Sequence, residues 1–319
     1  MTADVAGFFR GRRIFVTGGT GFFGKSILDM VRRGFLAETE FVLLSRDPRR
    51  FTLAVPELAS LPNVRLVSGD VRDFVFPEER FDFVIHGAAP ALTTLAPGEQ
   101  RSIIVDGSRR VMEFCRRCGA GRALLVSSGA VYGVQPPELE RVPEDFPCRP
   151  VTEYGIAKLE AERMFLSCGI PTSVARGFAF TGRYLNRNIH FAIGNFIRDA
   201  LAGNEVVVRG DGTPLRSYLY ADDLVEWLFA LLARPENALV CNVGSDRALS
   251  IAELAHTVCR ALRREVPVRV LTEVTPGRPP ARYVPEVELA KSLGLRVRVD
   301  LETAIRRSAD ADGEGETRF

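Results

Sequence analysis

The sequence of 319 residues predicts an α/β fold, in which a doubly wound parallel sheet precedes a smaller, partly interleaved region. Three observations predict this fold class. Short apolar runs alternate with helical stretches through the first half, which is the order of a parallel sheet with helices on both faces. The runs are apolar throughout rather than alternating, as expected for strands that are covered on both faces. A glycine-rich segment follows the first run and leads into the first helical stretch.

Five strands and three helices are predicted in the first half of the chain. The strands are Arg13–Thr17, Phe41–Leu44, Val64–Val67, Phe81–Ile85 and Ala123–Val126. The helices are Phe23–Arg33, Gln100–Cys118 and Thr152–Ser167. These helices would form crossover connections of the kind that parallel pairing requires.

Beyond Pro171 the alternation becomes irregular. The predicted elements are strands at Thr172–Ala175 and Val206–Val208 and helices near Phe191–Ala202, Asp222–Ala233 and Ile251–Leu262. We expect residues 1–178 to form the sheet domain, completed by parts of 215–247, and residues 179–214 and 248–307 to form the second region. Residues 308–319 are rich in Asp, Glu and Gly and are expected to be a disordered tail.

The charge balance argues against a dedicated nucleic-acid binder. The chain has 42 Lys+Arg against 40 Asp+Glu, a formal net charge of +2, whereas polyphosphate affinity needs a clear cationic excess. Only three of these cations are lysines, namely Lys25, Lys158 and Lys291. A lysine in such an arginine-rich chain is a candidate for a role that guanidinium cannot fill, because the two groups differ in shape, hydration and titration.

Membrane, disulfide and metal classes also find no support in the sequence. No apolar stretch approaches the roughly 18–20 residues of a membrane span, and residues 1–13 lack the apolar run of a secretory signal, so we expect a cytoplasmic protein without a membrane partner. Six cysteines form no disulfide scaffold, and Cys115 and Cys118 are expected to be two thiols near the end of a helix. Three separated histidines predict no metal centre.

The glycine-rich segment after the first strand indicates a phosphate-binding loop. Gly18, Gly21 and Gly24 are spaced by three residues, and Phe22 and Phe23 lie where the loop turns into the helix. Glycines let the backbone turn tightly and approach a pyrophosphate, whose charge lies against the free N–H groups of the helix start. The segment therefore favours a dinucleotide cofactor.

The same letters also satisfy a P-loop pattern, in which Lys25 would contact phosphates and Ser26 a magnesium ion. The loop by itself leaves this alternative, a triphosphatase or kinase, open. Asp70 is the nearest candidate for a magnesium-binding carboxylate, but it follows Gly69 rather than closing a strand. The glycine spacing and the two phenylalanines favour the dinucleotide.

A Tyr-x-x-x-Lys pair opens the predicted helix Thr152–Ser167. The spacing puts the phenol of Tyr154 and the ammonium of Lys158 on one helix face, where the ammonium would favour the phenolate. Such a pair alone is more often a surface feature of an amphipathic helix. Ser127 and Ser128, however, end the preceding strand at the sheet edge where ligands bind, although strand-end capping is their simpler role. Together these groups predict proton transfer on an alcohol during hydride transfer.

With these motifs the chain resembles an extended short-chain dehydrogenase/reductase of the nucleotide-sugar epimerase/dehydratase family, which has a Rossmann fold. The resemblance covers nearly the whole chain. The matching segments are Thr17–Gly24, Ser68–Val71, His86–Ala89, Val126–Gly133, Pro143–Asp145, Tyr154–Lys158, Arg216–Leu224 and Cys241–Gly244. The resemblance implies that the sheet domain binds NAD(P) and that the second region binds the substrate.

The resemblance also implies roles for individual residues. Ser128, rather than Ser127, would carry the catalytic hydroxyl beside Tyr154 and Lys158. Cofactor contacts would come from Gly18, Gly21, Phe22, Phe23, Gly24, Ser45, Arg46, Asp70, Val71, Ala88, Ala89, Tyr154 and Lys158, with Asp70 and Val71 against adenine and Ala88 and Ala89 along the phosphates. Substrate contacts would come from Ser128, Arg216, Arg282 and Asn195, the two arginines holding the diphosphate.

Two departures from the family pattern narrow the chemistry. Family dehydratases follow the catalytic hydroxyl with Asp-Glu, and decarboxylases keep the Glu, whereas this chain has Gly129 and Ala130, neither of which handles a proton. The second strand ends in Ser45 and Arg46 instead of the acidic residue that binds the ribose of NAD, which favours NADP(H). An inward turn of Asp47 would restore NAD(H), and a solvated basic loop is the other alternative.

The leading expectation is a nucleotide-sugar 4-epimerase, in which Tyr154 and Ser128 act at the C4 hydroxyl through a 4-keto intermediate. The alternative is an NADPH-dependent reductase of a nucleotide 4-keto-6-deoxysugar, with Tyr154 as the acid. A dehydratase and a non-catalytic NADP-binding protein are less favoured. The partner would be a nucleotide-diphosphate sugar, and the resemblance implies a homodimer that pairs through helices such as Gln100–Cys118 and Thr152–Ser167.

Overall fold

The computed structural model describes residues 2–90, 95–96, 98–189 and 191–310 of the chain. The strands in this range are β1 (Arg13–Thr17), β2 (Glu40–Ser45), β3 (Val64–Ser68), β4 (Phe83–His86), β5 (Arg122–Ser128), β6 (Thr172–Gly177), β7 (Phe180–Thr181), β8 (Val206–Val208), β9 (Leu215–Arg216), β10 (Leu219–Tyr220), β11 (Ala238–Val243), β12 (Leu249–Ser250), β13 (Val268–Val270) and β14 (Arg282–Tyr283). The helices are α1 (Thr2–Phe8), α2 (Phe22–Arg32), α3 (Pro48–Ala54), α4 (Pro56–Ala59), α5 (Glu99–Cys118), α6 (Glu153–Leu166), α7 (Ala192–Leu201), α8 (Ala221–Leu232), α9 (Ile251–Ala261), α10 (Glu288–Ser292) and α11 (Leu301–Ala309). A 3₁₀ turn, Gly129–Tyr132, follows β5.

Seven of these strands form one sheet in the order β11-β6-β5-β4-β1-β2-β3. Every pairing within it is parallel. Because β2 and β4 flank β1 and the chain proceeds outward in both directions, the strand order reverses beside β1 and a crevice opens at the carboxyl ends there. The doubly wound parallel sheet predicted from the sequence is confirmed.

Alternate side chains of the central strands face two separate helix layers. In β1, Ile14 and Val16 belong to the layer that contains Trp227 of α8, whereas Phe15 faces the opposite layer and lies against Phe114 of α5 with ring centroids 4.5 Å apart. All of these side chains are buried, and each burial contributes about 1.5–3 kcal/mol. The apolar runs that identify the strands therefore also hold the sheet between its layers.

The edge strand β3 departs from the predicted pattern. Val64 and Leu66 are only half-buried, and Arg65 is exposed. The prediction that every strand is covered on both faces is wrong here, because the helix layers cover the sheet incompletely at its edge. A charged side chain on an edge strand also disfavours pairing with another chain. Elsewhere the main shifts are that β4 begins at Phe83 rather than Phe81 and that β5 extends to Ser128.

The second half of the chain adds its own small core. Helices α7, α9 and α11 pack with β8, and Ile197, Val258 and Ile305 lie in the shared apolar cluster. The strand β9 pairs antiparallel with β12 and parallel with β14, which carries the C-terminal segment back to the crevice. The disordered tail expected at 308–319 does not include Ser308, which lies within α11 and is buried. Residues 311–319 lie outside the described residues, and the division into two domains stays a prediction.

Two expectations from the sequence, one about the cysteines and one about membrane spans, concern the helices. Cys115 and Cys118 lie in the last turns of α5 and are buried thiols, as predicted. In the part of the chain that the structure describes, no helix is both long and apolar enough to cross a membrane.

Candidate active site

The loop between β1 and α2 has the close backbone contacts of a phosphate-binding turn. Gly18 adopts φ +73°, and a Cβ there would lie 2.6 Å from the carbonyl carbon of Gly87, which follows β4. A Cβ on Gly24 would overlap the backbone of Gly19, so glycine is needed where the helix begins. Gly21 caps α2 without a side-chain hydrogen bond, which leaves the first N–H groups of the helix available to an anion.

The geometry of α2 does not fit the P-loop alternative. The hydroxyl of Ser26 is buried and donates to the carbonyl of Phe22 at 2.8 Å, so it does not face a ligand. Lys25 is half-buried, and burial lowers the pKa of its ammonium. Neither residue lines the crevice that the loop borders.

That crevice is a cavity of about 1030 Å³ at the carboxyl ends of the central strands. Its size is close to the upper limit of ligand pockets, which is roughly 1,000 Å³. It brings together most of the predicted site residues, which are Gly18, Gly21, Phe22, Phe23, Ser45, Arg46, Asp70, Val71, Ala88, Ala89, Ser128, Tyr154, Lys158 and Arg216. Residues that are up to two hundred positions apart in sequence therefore border one space.

One end of the cavity lies beside the end of β2. Ser45 is buried there, and Arg46 is exposed at the rim. Asp47 lies on the outer side, where its carboxylate accepts from the N–H of Arg50 at 2.9 Å and caps α3. Asp70 is held in a bidentate pair by Arg72, with N–O distances of 2.7 and 3.0 Å, and this hydrogen bonding lowers the pKa of the Asp70 carboxyl.

The other end of the cavity contains the first turns of α6. Thr152 caps this helix by accepting from the N–H of Gly155 at 3.1 Å. Gly155 packs directly on the 3₁₀ turn, because a Cβ there would lie 2.6 Å from the carbonyl oxygen of Ala130. The cap and this close approach fix where Tyr154 enters the cavity.

Lys158 lies below Tyr154 and is almost fully buried. Its ammonium donates to the carbonyl of Val126 at 2.9 Å and lies 5.8 Å from the centroid of the Tyr154 ring. Burial lowers the pKa of Lys158 to about 8, and the carboxylate of Glu162 opposes that shift. The lysine is therefore poised to titrate near neutral pH.

In the structure, burial dominates the pKa of the Tyr154 phenol. We expected Lys158 to lower the pKa of the Tyr154 phenol, but burial raises this pKa and only the hydrogen bond with Ser128 opposes the increase. The physical reason is that the ammonium is turned to the carbonyl of Val126 and desolvation dominates.

Besides the phenol of Tyr154, the hydroxyl of Ser128 has two partners from different parts of the chain. Its Oγ accepts from the N–H of Ala130 at 3.1 Å and lies 3.4 Å from the hydroxyl of Tyr283, which donates to the carbonyl of Gly177 at 3.4 Å. Ser128 therefore lies between the hydroxyls of two tyrosines, Tyr154 and Tyr283. The sequence reasoning missed Tyr283, because a single tyrosine in an irregular segment carries no signal of its own.

Gly129 has no side chain for a packing reason. A Cβ at this position would lie 2.8 Å from the ring of Phe178, which packs at a tilt against Tyr283 with ring centroids 4.7 Å apart. The aromatic ring thus occupies the space that a side chain at position 129 would need. Ala130, the next position, lines the cavity but offers no proton donor or acceptor in its side chain.

A buried polar layer supports the site from below. Ser127 donates to Glu162, which also forms an ion pair with Arg176 at 2.8 Å. Ser127 is therefore part of this layer rather than a strand-end cap. His86 lies between the hydroxyls of Thr17 at 2.7 Å and Ser108 at 3.0 Å, and burial together with the charge of Lys158 lowers its pKa to about 3.

Three predicted residues do not line the cavity. Gly24 lies within α2, where it serves the turn rather than contacting a ligand. Arg282, expected to hold the substrate diphosphate, faces a different cleft, because neighbouring residues of a strand point to opposite sides and Tyr283 takes the side of the active site. Asn195 is half-buried in α7, and its Oδ1 has no hydrogen-bond partner among the described residues.

A sequence model of the NAD dependent epimerase/dehydratase family matches residues 14–244. The chain belongs to this family. It is therefore an enzyme of the short-chain dehydrogenase/reductase type, as the convergence of serine, tyrosine and lysine indicates, and the non-catalytic alternative is set aside.

Relatives within the family catalyse more than one reaction. UDP-glucuronic acid decarboxylase 6 of Arabidopsis thaliana is 29% identical over 307 residues, which are 92% of this chain and 86% of the relative. UDP-glucose 4-epimerase of Azospirillum brasilense is 26% identical over 322 residues, 93% of this chain and 90% of the relative. Likeness alone therefore does not choose between epimerisation and decarboxylation.

Solved structures of the family share the whole fold. The UDP-N-acetylglucosamine 4-epimerase from Methanobrevibacter ruminantium M1 has a TM-score of 0.82 at 22% identity, over 95% of this chain and 98% of that one. MoeE5 in complex with UDP-glucuronic acid and NAD has a TM-score of 0.77 at 25% identity, over 94% of this chain and 98% of that one. At 22% identity, the similarity to the Methanobrevibacter structure concerns the fold alone, and it extends over nearly all of both chains.

Proposed function

We propose that this family enzyme is a nucleotide-sugar 4-epimerase. The observation that carries the proposal is the neighbourhood of Ser128, where Gly129 lies under the ring of Phe178 and leaves no carboxylate next to the catalytic hydroxyl. Elimination and decarboxylation need an additional acid, base or orienting group, whereas epimerisation needs only reversible removal of one proton and one hydride.

The fit of a nicotinamide dinucleotide to this chain is supported by the close glycine turn and the uncapped start of α2. When bound, such a cofactor supplies the acceptor and donor of the hydride. Tyr154 takes the proton of the C4 hydroxyl and returns it. Ser128 hydrogen-bonds the same oxygen, and Lys158 adds positive charge below the phenol. The 4-keto sugar rotates in the cavity and is then reduced on its other face.

The remaining carboxylates of the cavity do not suggest another reaction. Among the described lining residues, Asp70 and Glu153 are the acids. Asp70 is paired with Arg72 near the end of β2, away from Tyr154 in the fold. Glu153 is exposed in the first turn of α6. Neither occupies the place of the missing acid after Ser128.

The test is product analysis by NMR after incubation with UDP-glucose, UDP-N-acetylglucosamine and UDP-glucuronic acid. We expect the C4 epimer of at least one of them, with no net oxidation or reduction of cofactor. Release of carbon dioxide from UDP-glucuronic acid, with formation of a UDP-pentose, would sink the proposal in favour of a decarboxylase. The control is Tyr154→Phe, which removes the proton carrier and leaves the cavity shape intact.

We also propose NADP(H) as the preferred cofactor, with NAD(H) as the alternative. Support comes from Ser45 and Arg46 at the cavity and from Asp47, whose carboxylate is engaged as the cap of α3 and would lose that bond on turning inward. MoeE5, in contrast, is described in complex with NAD. Calorimetric titration with both dinucleotides checks this proposal. Arg46→Gln should weaken NADP⁺ binding about tenfold and NAD⁺ binding little, and equal affinities of the wild type would contradict it.

The proposed preference for NADP(H) is also compatible with the alternative function, that of a reductase. A reductase of a nucleotide 4-keto-6-deoxysugar would use Tyr154 as the acid and consume NADPH stoichiometrically. Incubation with a chemoenzymatically prepared dTDP-4-keto-6-deoxyglucose distinguishes the two, since an epimerase acting on intact nucleotide hexoses oxidises no NADPH in this assay.

The proposed partner is a nucleotide-diphosphate sugar. Arg216 lines the cavity at β9 and lies 5.7 Å from the ring of Tyr283, so its guanidinium is available to a diphosphate near the catalytic end. The homodimer through α5 and α6 stays a prediction that sedimentation measurements address.

A further inference from the structure

A second cavity, of about 700 Å³, lies on the other side of β14 from the active site. We call it the arginine cleft and define it by Arg141, Arg247, Arg282, Lys291 and Arg296. It shares no lining residue with the active-site cavity. The family reaction leaves this cleft without a role.

The charges around the cleft do not balance. Two carboxylates, Glu140 and Asp246, line it among the described residues, and Asp246 is already paired with Lys291 at 2.8 Å. Lys291 also pairs with Glu288 at 2.7 Å. Two nearby carboxylates, Asp246 and Glu288, therefore form ion pairs with the lysine rather than with the arginines. Cationic charge is therefore left over on the arginines.

Those arginines have no carboxylate partner within the described ranges. Arg141 donates to the backbone carbonyl of Asp246 at 3.2 Å, and Arg296 donates to the backbone carbonyls of Lys291 and Leu295 at 2.5 and 2.7 Å. The Nε of Arg282 is buried without a hydrogen-bond partner, which costs about 1–3 kcal/mol unless an acceptor arrives. Arg247 is exposed at the rim. An anion in the cleft would meet guanidinium groups that no carboxylate neutralises.

The wall of the cleft is apolar where the arginines are not. Val287 and Val297 line it beside Trp227, whose indole N–H donates to the carbonyl of Arg296 at 3.2 Å. The indole is thus part of the wall and ties the loop that carries Arg296 to α8. Guanidinium groups above an apolar wall suit a molecule that has both phosphate and carbon parts, because guanidinium binds phosphate in a bidentate manner.

We propose that the arginine cleft is a second ligand site, which binds the phosphates of a phosphorylated small molecule on Arg247, Arg282 and Arg296 and its carbon skeleton on the half-buried Val297. The site is separate from the sugar-nucleotide site but adjacent to it, since Arg282 and Tyr283 are consecutive residues of β14. It does not depend on which reaction the active site catalyses.

The test is calorimetric titration of the enzyme, saturated with NADP⁺, with two probes, tripolyphosphate and ATP. Both should bind, and ATP should bind at least about threefold more tightly because its adenosine adds apolar contact. The double substitution Arg247→Gln and Arg296→Gln should weaken both at least about tenfold. The matched control, Arg209→Gln with Arg264→Gln, removes two exposed arginines that line neither cavity and should change nothing.

Several results would overturn the proposal. One is the absence of binding to the wild type, and another is binding that NADP⁺ displaces. A third is binding that is lost in Arg216→Gln but kept in the cleft double variant, because the probe would then lie in the substrate cavity. Equal affinities of the two probes would refute the role of the apolar wall. If the double variant has a lower melting temperature than the wild type, the same titrations are made with the single variants Arg247→Gln and Arg296→Gln.

Discussion

The hydroxyl of Tyr283 lies 3.4 Å from the Oγ of Ser128, although 155 residues separate the two in the chain. The contact exists because β14 pairs with β9 and returns the C-terminal segment to the end of β5. Since Ser128 also accepts from the N–H of Ala130, both of its neighbours restrict the rotation of its hydroxyl. We therefore infer that Tyr283 positions the hydroxyl of Ser128 in the cavity.

The first prediction concerns this positioning. Tyr283→Phe keeps the ring contact with Phe178 but removes the hydrogen bond, whose net value of about 0.5–1.5 kcal/mol corresponds to a fall in kcat of roughly 3–10-fold. Steady-state kinetics should show this fall with little change in KM. Tyr154→Phe should cost far more, about 10²–10⁴-fold. Tyr184→Phe, at a phenol outside the cavity, is the control, and an unchanged kcat for Tyr283→Phe would refute the positioning role.

The second prediction concerns the packing that excludes an acid after Ser128. Gly129→Ala would bring a methyl group within 2.8 Å of the Phe178 ring, so we expect a loss of about 1–3 kcal/mol in the free energy of unfolding. Urea denaturation measures it. Combining the change with Phe178→Leu should recover part of the loss, and Gly210→Ala, which has no atom within 4 Å of the new Cβ, should not show the same cost. Simple additivity of the two changes at 129 and 178 would contradict the proposed contact.

The third prediction separates stability from catalysis at Lys158. Burial lowers the pKa of this lysine from 10.5 to about 8, so below pH 8 the folded protein carries a buried charge that the unfolded chain carries in water. Lys158→Met should remove that cost and raise the free energy of unfolding at pH 7 by about 1–3 kcal/mol while abolishing activity. The advantage should shrink as the pH rises from 8 towards 10.5, because wild-type Lys158 then loses its proton. Thermal denaturation across this range checks it, and Lys291→Met, at an exposed ion pair, should show no gain.

The fourth prediction concerns His86, whose pKa falls from 6.5 to about 3 on burial. The unfolded chain binds a proton below pH 6.5 and the folded protein does not, so stability should fall by about 1.4 kcal/mol for each pH unit between pH 6.5 and pH 3. His86→Asn should flatten that part of the profile, measured by urea denaturation at pH 7 and pH 5. His256→Asn, at an exposed histidine, should retain the wild-type slope. A wild-type slope in His86→Asn would assign the acid sensitivity to other groups.

The sequence predicted the sheet well because local patterns carry most of that information. Uniform apolar runs marked the inner strands, and the Gly18, Gly21 and Gly24 spacing marked the loop between β1 and α2. The seventh strand, β11, was expected only as part of a segment that completes the sheet. Its pairing with β6 depends on how the chain returns across a long sequence separation, which no local pattern encodes.

In the candidate site, too, some residues were indicated by the sequence and others were not. Ser128, Tyr154 and Lys158 were identified from the sequence, because strand-end position and helical spacing are local properties. The sequence did not indicate that Tyr283 contacts Ser128, because that partnership is made by tertiary structure.

The placement of Arg282 shows what only the tertiary structure decided. Two consecutive residues of β14 line two different cavities, because successive side chains of a strand point to opposite faces and β14 separates the clefts. The sequence by itself determined the fold class and indicated the residues that we propose for proton transfer. The direction of each side chain, the filling of the space above Gly129 by Phe178 and the buried charge of Lys158 follow from packing between distant segments, whose free energies depend on the assembled fold.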